Sequence, residues 1–280
     1  MTHRPLALAA TLLACALAHA TPATLPAATL RTVDGHALEV RTGGLAATPA
    51  TVVFENGLRE TLDTWKPVLE SLSPHARVFA WNRPGTGHSD VVDGPRDGRT
   101  VVEELRRALR DSGCAPPYVL VGHSMGGLYM QAFARAHPDE VAGVVLVDAI
   151  YPGVIKRSAD FPFYTRVARR VLFSDSVNRE IDGIHPTGEQ VLALPPHDDI
   201  PMIRLINVPR SADAVAVDFG TVDDDPAVRT RVLAMYPHAR TVIVDSDHRI
   251  QEANPEVVVK AIDELLQAGA VTARAGAAGR

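Results

Sequence analysis

The chain reads as an α/β protein with a mostly parallel central sheet, helices on both faces and a short helical insertion. Three observations predict this. Apolar runs of strand length alternate with amphipathic stretches from residue 28 to 267, the pattern of repeated strand–helix–strand units. Val141–Val147 (VAGVVLV) is unbroken and apolar, as expected of a parallel strand covered on both faces. The alternation then stops for about 50 residues, 151–199, which is long for an ordinary connection.

Composition agrees with that class. Of 280 residues, 46% are hydrophobic and 22% charged, enough for a large core and unlike a disordered chain. Lys and Arg number 28 against 33 Asp and Glu, a formal charge of −5. That balance speaks against a nucleic-acid binder, which carries a basic excess. Gly 20 and Pro 21 are too few and scattered for collagen or low complexity. Two cysteines exclude a disulfide scaffold and a four-cysteine zinc module.

Residues 1–20 read as an export leader. His3 and Arg4 form a polar start, Leu6 to Ala18 is a largely apolar run, and Ala18-His19-Ala20 is a small-x-small cleavage site. The run is shorter than the about 20 residues that a membrane-spanning helix needs. A lipoprotein box, Leu12-Leu13-Ala14-Cys15, is a second way to read the segment. The expected location is secreted or periplasmic, with no stable membrane span. Cleavage would leave 21–280 as one domain of charge −6, with Cys114 alone and no intrachain disulfide.

The body follows in order. Thr29–Glu39 reads as a hairpin turning at Asp34-Gly35. Thr51–Phe54 is a buried strand, Thr61–Leu72 has helical spacing, and Arg77–Trp81 is a second strand. Thr100–Leu109 is a helix opened by Thr100-x-x-Glu103, a capping-box pattern. Tyr118–Gly122 is a strand, and Met125–Ala136 a helix ended by His137-Pro138. The insertion 151–199 is expected to be helical at Arg166–Phe173 and Gly188–Leu194 and to cover one sheet edge. Its Phe161, Phe163, Tyr164 and Phe173 either line an apolar pocket or form the segment's own core, the latter preferred. Pro201–Ile206, Thr241–Val244 and the helix Pro255–Leu266 resume the alternation, and 268–280 read as a frayed tail.

Gly122-His123-Ser124-Met125-Gly126 fits G-x-S-x-G between a buried strand and a helix. That is the setting of a nucleophile elbow, where a serine projects from a turn too tight for side chains beside it. A serine hydroxyl is a poor nucleophile and needs an adjacent base. No H-E-x-x-H or similar metal-ligand spacing occurs, and no cofactor is expected.

Here the chain resembles the α/β-hydrolase fold family, esterase and lipase-like members with a modest lid, over nearly all of residues 28–267. The resemblance rests on GHSMGG at 122–127, Arg83-Pro84-Gly85-Thr86-Gly87-His88-Ser89, and Phe54-Glu55-Asn56-Gly57, where many members carry His-Gly. It implies that the base, one of eleven histidines, follows the last strand, which singles out His248 after Thr241–Val244. The acid is open. The familiar Gly-x-x-Asp after Pro201–Ile206 is missing, leaving Asp213, Asp218 and Asp223. Some members use the end of the strand after the elbow helix, which favours Asp148. Asp223-Asp224-Asp225 before Pro226 also suits a helix start. The oxyanion hole is expected from the backbone N–H of Met125 and, by resemblance, of Leu58. His123 is expected to pack beneath the elbow, away from the chemistry, and His88 to order its own loop. Arg59 and Glu60 read equally as a lining of the mouth and as a solvated loop.

The function expected is an exported serine hydrolase that cleaves a small carboxylic ester through an acyl-enzyme on Ser124. An amide, lactone or perhydrolysis reaction on the same triad, and a non-catalytic ligand-binding homologue, are the alternatives. The partner is a small-molecule ester and not a nucleic acid; oligomeric state is open.

Overall fold

Asp34 and Gly35 take φ of 50° and 82°, the positive values that let a two-residue turn follow the strand twist. β1 (Thr29–Val33) and β2 (His36–Gly43) pair antiparallel across them. The computed structural model describes residues 25–45, 48–207 and 226–278, the side chains of 226–229 and 270–278 excepted. The leader with Cys15, and the candidate acids Asp213, Asp218 and Asp223, lie outside the described residues.

β3 (Thr51–Glu55), β4 (Arg77–Trp81), β5 (Tyr118–His123), β6 (Val141–Val147), β7 (Met202–Asn207) and β8 (Arg240–Val244) complete an eight-stranded sheet. The order is β1-β2-β4-β3-β5-β6-β7-β8. β1–β2 and β2–β4 are antiparallel, and every later pair is parallel. Strand periodicity splits the apolar residues between two cores. Val53, Phe79, Leu120, Val144 and Leu146 face one side. Val52, Phe54, Val78, Val119, Val121, Val145 and Val147 face the other.

Helices cover both sides. α1 (Lys66–Leu72) follows a 3₁₀ turn at Leu62–Trp65, and together these occupy the expected 61–72 helix. α2 (Gly98–Asp111) starts two residues earlier than expected, because Asp97 and not Thr100 is its cap. The Asp97 carboxylate accepts the Thr100 N–H at 3.0 Å. Glu103 instead pairs with Arg106 and His137. α3 (Met125–Ala136) follows β5.

The insertion between β6 and β7 holds α4 (Phe163–Leu172) and α5 (Asp175–Ala193). It reaches the strand-end edge through α5, whose Glu180 pairs with Arg83 just beyond β4. α5 lies across α2 and α3, and Gly183 permits this: a Cβ there would stand 2.2 Å from the Arg96 carbonyl oxygen. The four aromatics also divide. Phe161 is buried and Phe173 packs on the core, whereas Phe163 and Tyr164 are exposed. α6 (Pro226–Met235) begins at a proline, as the helix-start reading of Asp223–Asp225 implies. α7 (Ile250–Ala253) and α8 (Pro255–Ala278) end the described chain, α8 running on through much of the segment expected to fray. No helix among the described residues is long and apolar enough to cross a membrane.

Candidate active site

The sheet register brings five strand ends to one edge. Glu55 of β3 lies beside Gly122 of β5, His123 beside Val147 of β6, and Val147 beside Leu205 of β7. Asn207 of β7 lies beside Val244 of β8. Residues that directly follow these strands therefore meet, however far apart they are in sequence.

Ser124 joins β5 to α3 with φ 51° and ψ −119°, a conformation that costs an L-residue about 1–3 kcal/mol and persists only where the surroundings enforce it. They do so here. The Ser124 N–H donates to the Val147 carbonyl at 3.1 Å, and the Ser124 carbonyl accepts from the Ile150 N–H at 2.9 Å. Side chains are excluded around it. A Cβ on Gly122 would sit 2.6 Å from the Gly126 carbonyl oxygen, and one on Gly126 2.3 Å from the Glu55 carbonyl oxygen. Met125 opens α3, so its N–H is among the helix N–H groups without an intrahelical acceptor.

Asp148 follows β6 with φ 41°, its N–H bound to the Leu205 carbonyl at 2.8 Å. Its Oδ2 lies 2.7 Å from Nδ1 of His248, in the loop between β8 and α7. The two are 100 residues apart in sequence. The His248 loop is tied down through α7. Gln251 donates to the Thr64 hydroxyl at 3.0 Å, which in turn donates to Glu252 at 2.9 Å.

The loop bearing Leu58 is held by Arg83. This guanidinium is fully buried. It binds Glu55 at 2.5 Å and Glu180 of α5 at 2.5 Å, and donates to the carbonyls of Asn56 and Gly57 at 2.7 and 2.9 Å. Burial opposes its charge, but Glu180 and Glu55 outweigh that and push Arg83 further above its ordinary value. The Asn56 side chain accepts the Trp65 indole N–H at 2.9 Å and donates to the Trp81 carbonyl at 2.8 Å.

His123 does not pack away from the chemistry. Its ring lies 4.6 Å from the His248 ring, and its Nε2 is 2.8 Å from the His248 carbonyl oxygen. Its Nδ1 is 2.8 Å from Glu60 Oε2, which also accepts the Gly57 N–H at 2.9 Å. Both ring nitrogens thus face acceptors. Glu60 is neither a lining of the mouth nor a solvated loop residue; it connects the Leu58 loop to the His248 loop through His123. Burial alone would raise its carboxyl, but the hydrogen bond and charge of His123, the Gly57 N–H and His248 hold it below the ordinary value. Arg59, at φ 65°, places its guanidinium 5.0 Å above the Phe173 ring. His88 orders its loop through Glu39, which accepts its backbone N–H at 2.9 Å and lies 3.0 Å from its Nδ1.

Ser124, Met125, Asp148, His248 and the Leu58 loop thus share one edge, with Asp148 and His248 in contact. Sequence reasoning missed the supports Arg83, Glu180, Glu60 and His123. The one local hint was a charged residue, Arg83, two positions past an apolar strand that ends buried.

A parallel sheet with a serine elbow and a carboxylate–histidine pair on one edge defines a class, and comparison with known proteins agrees. The chain has the α/β-hydrolase fold, and the model of the alpha/beta hydrolase fold family matches residues 50–183. A thermophilic esterase from Thermogutta terrifontis superposes with a TM-score of 0.61 at 21% identity, covering 88% of this chain and 100% of that one. The enol-lactonase from Burkholderia xenovorans gives 0.62 at 20% identity, covering 85% and 100%. In sequence, an esterase of Mycobacterium tuberculosis is 30% identical over 166 residues, 59% of this chain and 52% of that protein. The match spans less than half the length of the first curated relatives, at 17%, 46% and 37%.

Proposed function

We propose that this α/β hydrolase is a serine esterase that cleaves a small carboxylic ester through an acyl-enzyme at Ser124. The observation that carries the reading is the 2.7 Å contact between Asp148 Oδ2 and His248 Nδ1, on the same sheet edge as the strained elbow serine. Asp148 accepts the Nδ1–H, which leaves Nε2 as the basic nitrogen and stabilises the imidazolium that forms.

In the first half-reaction Ser124 Oγ bonds to the ester carbonyl carbon while His248 Nε2 takes its proton. The resulting oxyanion accepts the N–H groups of Met125 and Leu58; in other enzymes loss of one such donor costs about 10²–10³ in rate. His248 then passes the proton to the departing alcohol. In the second half-reaction His248 deprotonates water, which attacks the acyl carbon. Ser124 leaves with the proton returned, and the carboxylic acid is freed. The esterase that is 30% identical over 166 residues supports an ester as the substrate class.

A fluorophosphonate probe tests the nucleophile. Labelling should map to Ser124, vanish in Ser124→Ala and slow sharply in His248→Asn. Undiminished labelling of Ser124→Ala would overturn the proposal.

A further inference from the structure

α4 is built inside out. The residues it buries are Thr165 and Arg169, the latter turned onto Asp182. Its apolar residues face solvent: Phe163, Tyr164, Val167, Val171 and Leu172 are between 46% and 77% exposed. They are five of the eleven large apolar side chains exposed among the described residues. At helical spacing the five span about half of the circumference as one face. A helix whose only partner were its own domain would bury that face and expose the polar one.

The charge around α4 is equally uneven. Lys156, Arg157, Arg166 and Arg170 are exposed beside it, and the Arg166 guanidinium lies 5.9 Å from the Phe163 ring centre. Residues 156–172 hold five basic residues and one acid, Asp160, a local charge of +4 on a chain of −5. α4 also adjoins the candidate site. It runs directly into Phe173, whose ring lies under Arg59, the neighbour of Leu58.

We propose that α4 docks this enzyme onto an anionic lipid surface. Resting on the esterase reading of Ser124, the proposal adds that the substrate is an ester drawn from that surface. A flat fluid interface accepts a convex apolar ridge without needing a matching groove, and its phosphates pair with flanking Lys and Arg. A second copy of this chain is a poorer occupant, since two-fold packing of α4 on itself would set Arg166 and Arg170 against their own counterparts.

The test uses the Ser124→Ala chain, so that binding is read without turnover. It is floated with phosphatidylcholine vesicles with and without phosphatidylglycerol. Binding should be about tenfold stronger to the anionic vesicles and should weaken in about 0.5 M salt. Val167→Asp with Val171→Asp should abolish it, and Arg166→Glu with Arg170→Glu should remove the anionic preference. All four positions are exposed, Val167 less so than Val171, and circular dichroism checks each fold. No anionic preference, or binding untouched by the aspartate pair, would overturn the proposal. So would a dimer in sedimentation velocity that the aspartate pair dissociates and that ignores vesicles. Vesicle binding by a wild type that cleaves no soluble p-nitrophenyl ester would sink the esterase reading and the substrate clause while leaving the docking intact.

Discussion

Arg83→Met removes the cation on which two buried carboxylates and two backbone carbonyls depend. Deleting one partner of a buried ion pair costs about 3–5 kcal/mol, because the other charge is left uncompensated. The two carbonyls add about 1 kcal/mol each for their lost donors. A loss of roughly 5–7 kcal/mol follows, a large share of the about 5–15 kcal/mol that holds a typical domain together. At about 2–4 °C per kcal/mol for a chain of this size, the unfolding midpoint should fall by roughly 10–30 °C. Thermal unfolding followed by circular dichroism at neutral pH measures this. The sign of the pH dependence is a second check. Burial raises the Glu55 carboxyl even beside Arg83; without that cation Glu55 binds protons more readily folded than unfolded, so the variant should regain stability as pH falls. Adding Glu55→Gln and Glu180→Gln should recover most of the loss. A drop under about 1 kcal/mol, or no recovery in the triple variant, would refute the assignment of Arg83 as the clamp between the Leu58 loop and α5.

Asp148→Asn should lower kcat by about 10³–10⁴ with little change in KM, since His248 would lose its orienting acceptor; near wild-type kcat would return the role to Asp213, Asp218 or Asp223. Glu60 is held below its ordinary value of 4.5, so its stabilising contribution is complete above that pH and is lost as pH falls through the lower folded value. Urea midpoints along an acid series should therefore decline less steeply in Glu60→Gln, and equal slopes would contradict the Glu60–His123 link. Gly126→Ala puts a Cβ 2.3 Å from the Glu55 carbonyl oxygen and 2.5 Å from that of Asn56. It should destabilise by about 1–3 kcal/mol in urea and lower kcat as the Leu58 loop shifts.

Much of the fold is legible along the chain, because periodicity is a local property. Val141–Val147 and Met125–Ala136 have the bounds that their apolar patterns imply. The Thr100-x-x-Glu103 pattern points to the wrong cap for α2, because a pattern does not show which side chain reaches a free N–H. Asp97 prevails as its carboxylate reaches the Thr100 N–H. The insertion is legible only in part. Its length and helices follow from composition, but its seat on α2 and α3 depends on Gly183 admitting the Arg96 backbone.

The elbow motif is readable in the chain because it is set by its own few neighbours, whereas the last-strand histidine is singled out by resemblance to the α/β-hydrolase family. For the partner of His248 the resemblance favours Asp148 but leaves Asp213, Asp218 and Asp223 open, since one loop aspartate resembles another until β6, β7 and β8 are laid side by side. Parallel pairing then puts the end of β6 within reach of the loop after β8, and Asp148 meets a histidine 100 residues away. The same holds for Arg83 and Glu180, 97 residues apart and buried together. Local pattern specifies elements; which charges share a desolvated space is a property of their packing.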